Sequence, residues 1–229
     1  MAKYIIHACN SRMWYVDGYL VPSMLEQGIN KDDIIVWLDK NNEGNLPAFL
    51  KCMEFCGKSE EHGFWHLQDD VIISRKFKEY TERYDTGLVA GFASSYDSDP
   101  YFNKQVEVPS GTVNIKDLWY SFCCIRIPNL LVRKFLDWWI KIAVKDGEVI
   151  RVCINDKKND DWAFRRFIMS YYPDMIVQNL KPNLVDHIDY IIGGSIINKE
   201  RYGRETKSLY FEDTDLIEQL KERLGYAST

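Results

Sequence analysis

A chain of 229 residues that is 46% hydrophobic and 28% charged has the balance of a globular protein rather than a disordered one. Its formal net charge of −5 provides no general electrostatic attraction to DNA, RNA or anionic lipid, which weighs against nucleic acid as a partner. No apolar run is long enough to span a bilayer and no signal peptide follows Met1, so we expect a cytoplasmic protein with no membrane partner.

The first 92 residues alternate between short apolar runs and amphipathic segments. Buried strands are predicted over 3–9, 34–38, 63–67 and 87–92, and helices over 13–28, 47–55 and 74–84. This strand–helix alternation with short connections predicts an α/β fold with a parallel, doubly wound sheet.

The remaining residues begin with a long irregular stretch, 93–116, which is rich in Ser, Asp, Pro, Gly and Asn. Its length predicts a substrate-facing loop rather than a plain connection. Beyond it, strands are predicted over 118–127 and 175–177, and helices over 129–144, 162–171 and 215–224. Because no linker or repeat divides the chain, we expect one domain over 1–229.

The strongest chemical signal is the acidic pair Asp69–Asp70, which follows the third predicted strand. In an open parallel sheet, ligands bind at the carboxyl ends of the strands. Two adjacent carboxylates repel one another when they lose water, and a divalent cation such as Mg²⁺ or Mn²⁺ removes that cost. The alternative is that these acids only cap the following helix, a position that Asp favours.

Two further signals lie in the second half of the chain. His187 stands in a segment close to the Gly193–Gly194 turn; a nitrogen ligand beside carboxylates favours Mn²⁺, although a lone His is more often structural. Asp160 and Asp161 open a predicted helix, where they cap its first turn or serve as a general base.

A basic cluster near the end of the chain is open to two interpretations. Such a run is ordinarily a solvated surface, but in an enzyme that expels a nucleoside diphosphate its cations would stabilise the leaving group. The cluster consists of Lys199, Arg201, Arg204 and Lys207.

In their order along the chain, these segments resemble a glycosyltransferase of the GT-A type. Asn10-Ser11-Arg12 resembles the nucleotide-contacting start of that fold. Residues 67–71 (LQDDV) resemble its D-x-D metal motif in the EDD variant of the family 25 transferases, with Gln68 in place of the first acid. Residues 182–187 (PNLVDH) resemble the segment before a metal-binding His, and 159–162 (NDDW) the acidic motif of the acceptor-side helix.

The resemblance implies a single GT-A domain in which 1–92 bind the nucleotide sugar and 93–229 form the acceptor side and C-terminal tail. It implies Mn²⁺ or Mg²⁺ held by Asp70 and His187, with Asp161 or Asp160 deprotonating an acceptor hydroxyl in the inverting case. The implied donor-binding residues are Asn10, Ser11, Arg12, Asp69, Lys199, Arg201 and Arg204.

The resemblance also implies the partners. These are a nucleotide-sugar donor, with a UDP-sugar expected, and an acceptor that is a glycan or a modified nucleic-acid base. The compact size is reminiscent of bacterial or bacteriophage enzymes, and we expect a monomer or homodimer. Two alternatives stay open: a non-catalytic sugar- or nucleotide-binding module, which Gln68 would suit, and a nucleotidyltransferase, against which the glycine-free loop at 10–12 counts.

Overall fold

The computed structural model describes residues 2–92, 94–95, 110–115, 122–155, 159–189, 191–192, 207–208 and 210–225. Helices occupy Met13–Tyr15, Val16–Leu20 (a π turn), Val21–Glu26, Asn45–Gly57, Phe77–Arg83, Asn129–Lys141, Gly147–Val149, Ile150–Ile154 (a second π turn), Asp160–Tyr171 and Thr214–Arg223. None of these helices has the length and apolar character needed to cross a membrane.

A seven-stranded sheet organises the described part of the chain. Its strands are β1 Tyr4–Cys9, β2 Ile34–Asp39, β3 Gly63–Gln68, β5 Val89–Ala90, β7 Gly111–Asn114, β8 Cys124–Pro128 and β9 Ile176–Asn179. They lie in the order β2-β1-β3-β8-β5-β9-β7. Strands β1, β2, β3, β5 and β9 run in one direction, whereas β8 and β7 run in the other. The predicted α/β fold with a mostly parallel sheet is confirmed.

Two details of the sheet differ from the sequence prediction. The alternation over the first 92 residues predicted neighbouring parallel strands, but β8, which lies within the strand expected over 118–127, is inserted antiparallel between β3 and β5. Strand β2 was expected to be buried, but it lies at the edge of the sheet and all six of its residues are only half-buried. Its apolar run is typical of a central strand, although within the described part of the chain β2 pairs only with β1.

Hydrophobic side chains cover both faces of the sheet because neighbouring residues of each strand point to opposite sides. In β1, Ile5 packs into one core with the helices Asn45–Gly57, Asn129–Lys141 and Asp160–Tyr171. Ile6 packs into the other core with the helical turns over 13–26 and the helix Thr214–Arg223. The sheet therefore lies between two hydrophobic cores.

Two short ladders lie outside the large sheet. Strand β4 Val71–Ile73 pairs antiparallel with β10 Val185–His187, and β6 Ser94–Ser95 pairs with β11 Lys207–Ser208. The first ladder places His187 beside the residues that follow β3.

Candidate active site

The carboxyl ends of three parallel strands meet at one edge of the sheet. Cys9 at the end of β1 is paired with Asp39 at the end of β2, and His7 is paired with Gln68 at the end of β3. Loops that follow such strand ends converge, and they are the usual ligand-binding edge of an open α/β sheet. The chain segments 10–12, 40–44 and 69–70 follow these three ends.

Asp69 and Asp70 are buried and both contact Arg12. Arg12 Nη1 donates a hydrogen bond to Asp69 Oδ1 at 2.9 Å and a second, short one to Asp70 Oδ2. The backbone N–H of Cys9 donates to Asp69 Oδ2 at 2.7 Å. The two acids precede β4, and the next helix begins only at Phe77, so the interpretation of the pair as a helix cap is wrong.

His187 lies on the other side of Asp70. The β4–β10 ladder sets His187 opposite Val71, and the N–H of Ile188 donates to the backbone oxygen of Asp70 at 2.8 Å. His187 Nε2 is 3.2 Å from Asp70 Oδ2, and His187 Nδ1 is 3.2 Å from Asp189 Oδ1. The structure thus brings together three residues that the sequence singled out separately: Arg12, Asp70 and His187.

The charged groups around Asp70 shift one another's pKa values. Burial acts to raise the pKa of Asp70, but the positive charges of Arg12 and then His187 outweigh it and hold that pKa below its ordinary value. Burial and the charge of Asp70 raise the pKa of Asp69. Burial acts to lower the pKa of His187, but Asp70 and Asp189 outweigh it and raise that pKa to about 10.

The donor set around Asp70 fits part of a metal site. Among the described residues, Asp70 Oδ1 has no hydrogen-bond partner although it is buried, so it is the oxygen that a divalent cation would use. The same residues contain no group of three His, Cys, Asp or Glu side chains placed to hold a metal ion. Asp70 therefore fits a cation that completes its coordination with substrate oxygens and water, as Mg²⁺ commonly does, whereas His187 is protonated at neutral pH and its ring nitrogens face Asp70 Oδ2 and Asp189 Oδ1. Ligation by His187 requires its neutral form.

A second acidic group stands at the start of the helix Asp160–Tyr171. Asp160 is 2% exposed, and its Oδ1 accepts a hydrogen bond from Asn45 Nδ2 at 3.3 Å. Asp160 Oδ2 is buried and has no hydrogen-bond partner within the described part of the chain. Burial, followed by the charge of Asp161, raises the pKa of Asp160 to about 7. Asp161 is only half-buried.

Asn45 places Asp160 at the same edge of the sheet as Arg12, Asp69, Asp70 and His187. Asn45 begins the helix that follows β2, and the loop before it is fixed by Asp39, whose carboxylate accepts hydrogen bonds from the N–H groups of Glu43 and Gly44. Asn10 Nδ2 donates to the backbone oxygen of Lys40 at 3.0 Å and joins the ends of β1 and β2.

The other predicted residues have different surroundings. Asn10 and Ser11 are exposed next to Arg12, where a ligand can reach them. Gln68 accepts a hydrogen bond from Cys123 Sγ at 3.3 Å. The predicted donor-binding residues Lys199, Arg201 and Arg204 lie outside the described residues, as do most of the predicted loop 93–116 and the Gly193–Gly194 turn.

Sequence analysis did not single out Asp189 and Asn45. Asp189 stands two residues after His187, and acids at 186 and 189 on both sides of a histidine were an available signal. Asn45 follows a glycine with φ of 101° at a helix start, and nothing in its sequence surroundings points to Asp160, 115 residues away.

Comparisons with known proteins give no family assignment. No protein-family model matches the sequence, and no curated protein matches it significantly.

Solved structures overlap with this chain at low sequence identity. A protein from Bacillus anthracis, assigned as a glucose-1-phosphate thymidylyltransferase and solved with a sucrose, has a TM-score of 0.42 and 10% identity, covering 88% of this chain and 94% of that one. HddC from Yersinia pseudotuberculosis has a TM-score of 0.32 and 12% identity, over 64% and 87%. The glycosyltransferase GlyE of Streptococcus pneumoniae TIGR4 has a TM-score of 0.34 and 10% identity, over 80% and 56%. These overlaps are too loose to establish a shared fold.

Proposed function

We propose that this protein is a metal-dependent glycosyltransferase that moves a sugar from a nucleotide-sugar donor, expected to be a UDP-sugar, to an acceptor hydroxyl. One observation carries the proposal: Asp70 and Asp160 lie where the loops after the parallel strands converge, and each has a buried carboxylate oxygen without a hydrogen-bond partner among the described residues. The ordered likeness of the sequence motifs to GT-A enzymes supports it independently.

The donor end of the site is built around Asp70. Asp70 Oδ1 would hold Mn²⁺ or Mg²⁺, joined by His187 once it has lost its proton, and such an ion, when bound, would neutralise the charge that develops on a departing diphosphate. Asp69 is fixed by the Cys9 N–H and by Arg12, which holds its carboxylate ready for the hydroxyls of the ribose or the donor sugar. The exposed Asn10 and Ser11 would contact the nucleotide beside it.

The acceptor end is assigned to Asp160. A general base works best when its pKa lies near the operating pH, and the pKa of about 7 at Asp160 meets that condition. The Asn45 hydrogen bond orients one carboxylate oxygen and leaves Oδ2 for the acceptor hydroxyl. Asp161, the other acid predicted from the sequence, is more exposed and serves as the comparison residue. The base role applies to an inverting reaction.

Turnover of the donor tests this proposal. The full-length protein is incubated with a panel of nucleotide sugars and Mn²⁺, and release of free nucleoside diphosphate is measured with water as the acceptor. We expect one donor to be consumed, with turnover lost in Asp70→Asn and kept in Asp161→Asn. Absence of turnover for every donor would favour the alternative that the protein is a non-catalytic sugar- or nucleotide-binding module. Release of pyrophosphate from nucleoside triphosphates and sugar phosphates would make the protein a nucleotidyltransferase.

A further inference from the structure

Arg12 is a cation that the chain itself places against both acids of the site. Its side chain is 9% exposed, and those of Asp69 and Asp70 are 8% and 10% exposed, so all three charges are largely removed from water. One nitrogen, Nη1, donates to both carboxylates. The mutual repulsion of the two acids, which suggested a metal ion from the sequence, is thus offset by a residue of the chain itself.

In this arrangement, the positive charge of Arg12 weakens the binding of a divalent cation to Asp70. Arg12 contacts Oδ2 of Asp70, while Oδ1 of the same carboxylate is the oxygen without a partner among the described residues. An ion on Oδ1 would lie within a few ångströms of the guanidinium, and like charges at that distance in a buried site repel strongly. The negative charge of Asp70 is also already shared with Arg12 and His187.

A bound diphosphate would change the contacts of the Arg12 guanidinium. Arg12 ends the 3₁₀ turn Asn10–Arg12, whose other two residues are exposed at the carboxyl end of β1. Guanidinium groups bind phosphate oxygens in the same forked geometry in which they bind carboxylate oxygens. A diphosphate at this edge would therefore offer Arg12 an alternative anionic partner next to the exposed Asn10 and Ser11.

We infer that Arg12 couples metal binding to donor binding. Its positive charge weakens the binding of a metal ion to Asp70 while no donor is bound, and the donor diphosphate reduces that repulsion by binding the guanidinium. The inference rests on the proposed function, since it takes Asp70 as the metal-binding acid. Arg12 acts here as a positioning residue. By thermodynamic reciprocity, the metal strengthens diphosphate binding by the same factor as diphosphate strengthens metal binding.

Mn²⁺ titrations of the full-length protein, with and without UDP, test the coupling. Binding is followed by electron paramagnetic resonance of free Mn²⁺ in wild type, Arg12→Gln and Arg12→Lys. Without UDP, we expect Arg12→Gln to bind Mn²⁺ about tenfold more tightly than wild type, within the usual range of such couplings. The factor by which UDP strengthens Mn²⁺ binding should fall correspondingly. Arg12→Lys keeps the charge and should bind Mn²⁺ as weakly as wild type.

A second pair of variants covers the case in which Arg12→Gln does not fold. Asp69→Asn is compared with the double variant Asp69→Asn, Arg12→Gln, in which only one buried carboxylate loses its partner. The double variant should again bind Mn²⁺ about tenfold more tightly than the single one. Circular dichroism checks that each variant is folded.

The inference is overturned if loss of the Arg12 charge leaves Mn²⁺ binding unchanged or weaker, or if Mn²⁺ binds none of these proteins with or without UDP. These readouts do not depend on turnover. A protein that consumes no nucleotide sugar but shows the tighter Mn²⁺ binding of Arg12→Gln would refute the glycosyltransferase proposal and retain the role of Arg12.

Discussion

A single guanidinium contacts two neighbouring buried carboxylates at this site, and stability should depend on it. Removing one partner of a buried ion pair leaves an uncompensated charge and typically costs about 3–5 kcal/mol. We therefore expect Arg12→Gln to lose about that much free energy of unfolding at pH 7, measured by urea denaturation. Replacing Asp69 with Asn in the same background should recover part of the loss.

An exposed ion pair provides the matched control. Arg166 contacts Glu148 at 3.0 Å, but both side chains are more than two-fifths exposed. Surface pairs of this kind contribute about 0–1 kcal/mol, so Arg166→Gln should have a small effect. Equal losses for Arg12→Gln and Arg166→Gln would contradict the buried ion-pair network.

Asp160 should give the protein a distinctive dependence of stability on pH. Its pKa is about 7 in the folded chain against an ordinary value of 3.8, so between these values the folded state keeps a proton that the unfolded state releases. Stability contributed by this group therefore falls as pH rises through the window, by up to about 1.4 kcal/mol per pH unit. Asp160→Asn removes this titration, so the free energy of unfolding of the variant, relative to that of wild type, should increase as pH rises from 4 to 7.

The same residue should govern the pH profile of turnover. A general base acts in its deprotonated form, so kcat/KM of wild type should rise with pH and level off above about 7. Asp160→Asn should lose about 10²–10⁴-fold in rate, the usual contribution of such a base. Asp161→Asn is the control and should keep the profile; loss of the profile in Asp161→Asn alone would move the base to that residue.

Among the structural elements, the link between β5 and β10 positions His187. Gly91 follows β5; its N–H donates to the oxygen of Cys124, and its own oxygen accepts from the N–H of Leu184, just before β10. A Cβ on Gly91 would lie 2.7 Å from Cys124 Sγ and 3.3 Å from Leu184 Cδ1. Only a residue without a side chain allows these segments to approach so closely.

Gly91→Ala should therefore be destabilising. Overpacking of a tight contact commonly costs about 1–3 kcal/mol, and the displacement of β10 should also weaken Mn²⁺ binding. Thermal unfolding and the Mn²⁺ titration measure the two effects. Gly18→Ala is the control, because nothing lies within 4 Å of its added Cβ and alanine favours a helix, so it should be neutral or stabilising. Similar behaviour of the two variants would contradict the close contact at Gly91.

Periodicity explains which elements were predictable from the sequence. The strands β1 and β3 and the helix Asn129–Lys141 have clear apolar patterns, and their predicted positions agree with the structure to within a few residues. The direction of β8 was not predictable, because an apolar run has the same pattern in parallel and antiparallel pairing. Strand β4 was missed, since three residues are too few to show any period.

For the molecule as a whole, the single domain expected over 1–229 is still a prediction, and unfolding tests it. Phe164 belongs to the core on one face of the sheet and Leu220 to the core on the other. If both cores depend on one sheet, Phe164→Ala and Leu220→Ala should each lower the midpoint of one shared transition. Each loss should be about 2–5 kcal/mol. Two transitions, each sensitive to only one variant, would indicate two independent units.

The site is assembled from residues that are far apart in the chain, and this limits what the sequence could predict. The acids at 69–70 and 160–161 and the histidine at 187 were recognisable because each stands in a local motif. That Arg12 would pair with both acids was not recognisable, since the contact spans 57 residues and depends on the β1–β3 register. The divalent cation expected beside Asp69 and Asp70 stays a prediction, and the structure places the positive charge of Arg12 against both acids.

Whether the site binds a nucleotide sugar together with a metal ion is tested by thermal unfolding with a panel of nucleotide sugars, each with Mn²⁺ and with EDTA, in wild type and Asp70→Asn. A ligand at a hundredfold its dissociation constant adds about 2.7 kcal/mol of stability. We predict that one donor raises the unfolding midpoint of wild type only with Mn²⁺, and that Asp70→Asn abolishes the shift. A protein that no nucleotide sugar stabilises, with or without Mn²⁺, would contradict the account.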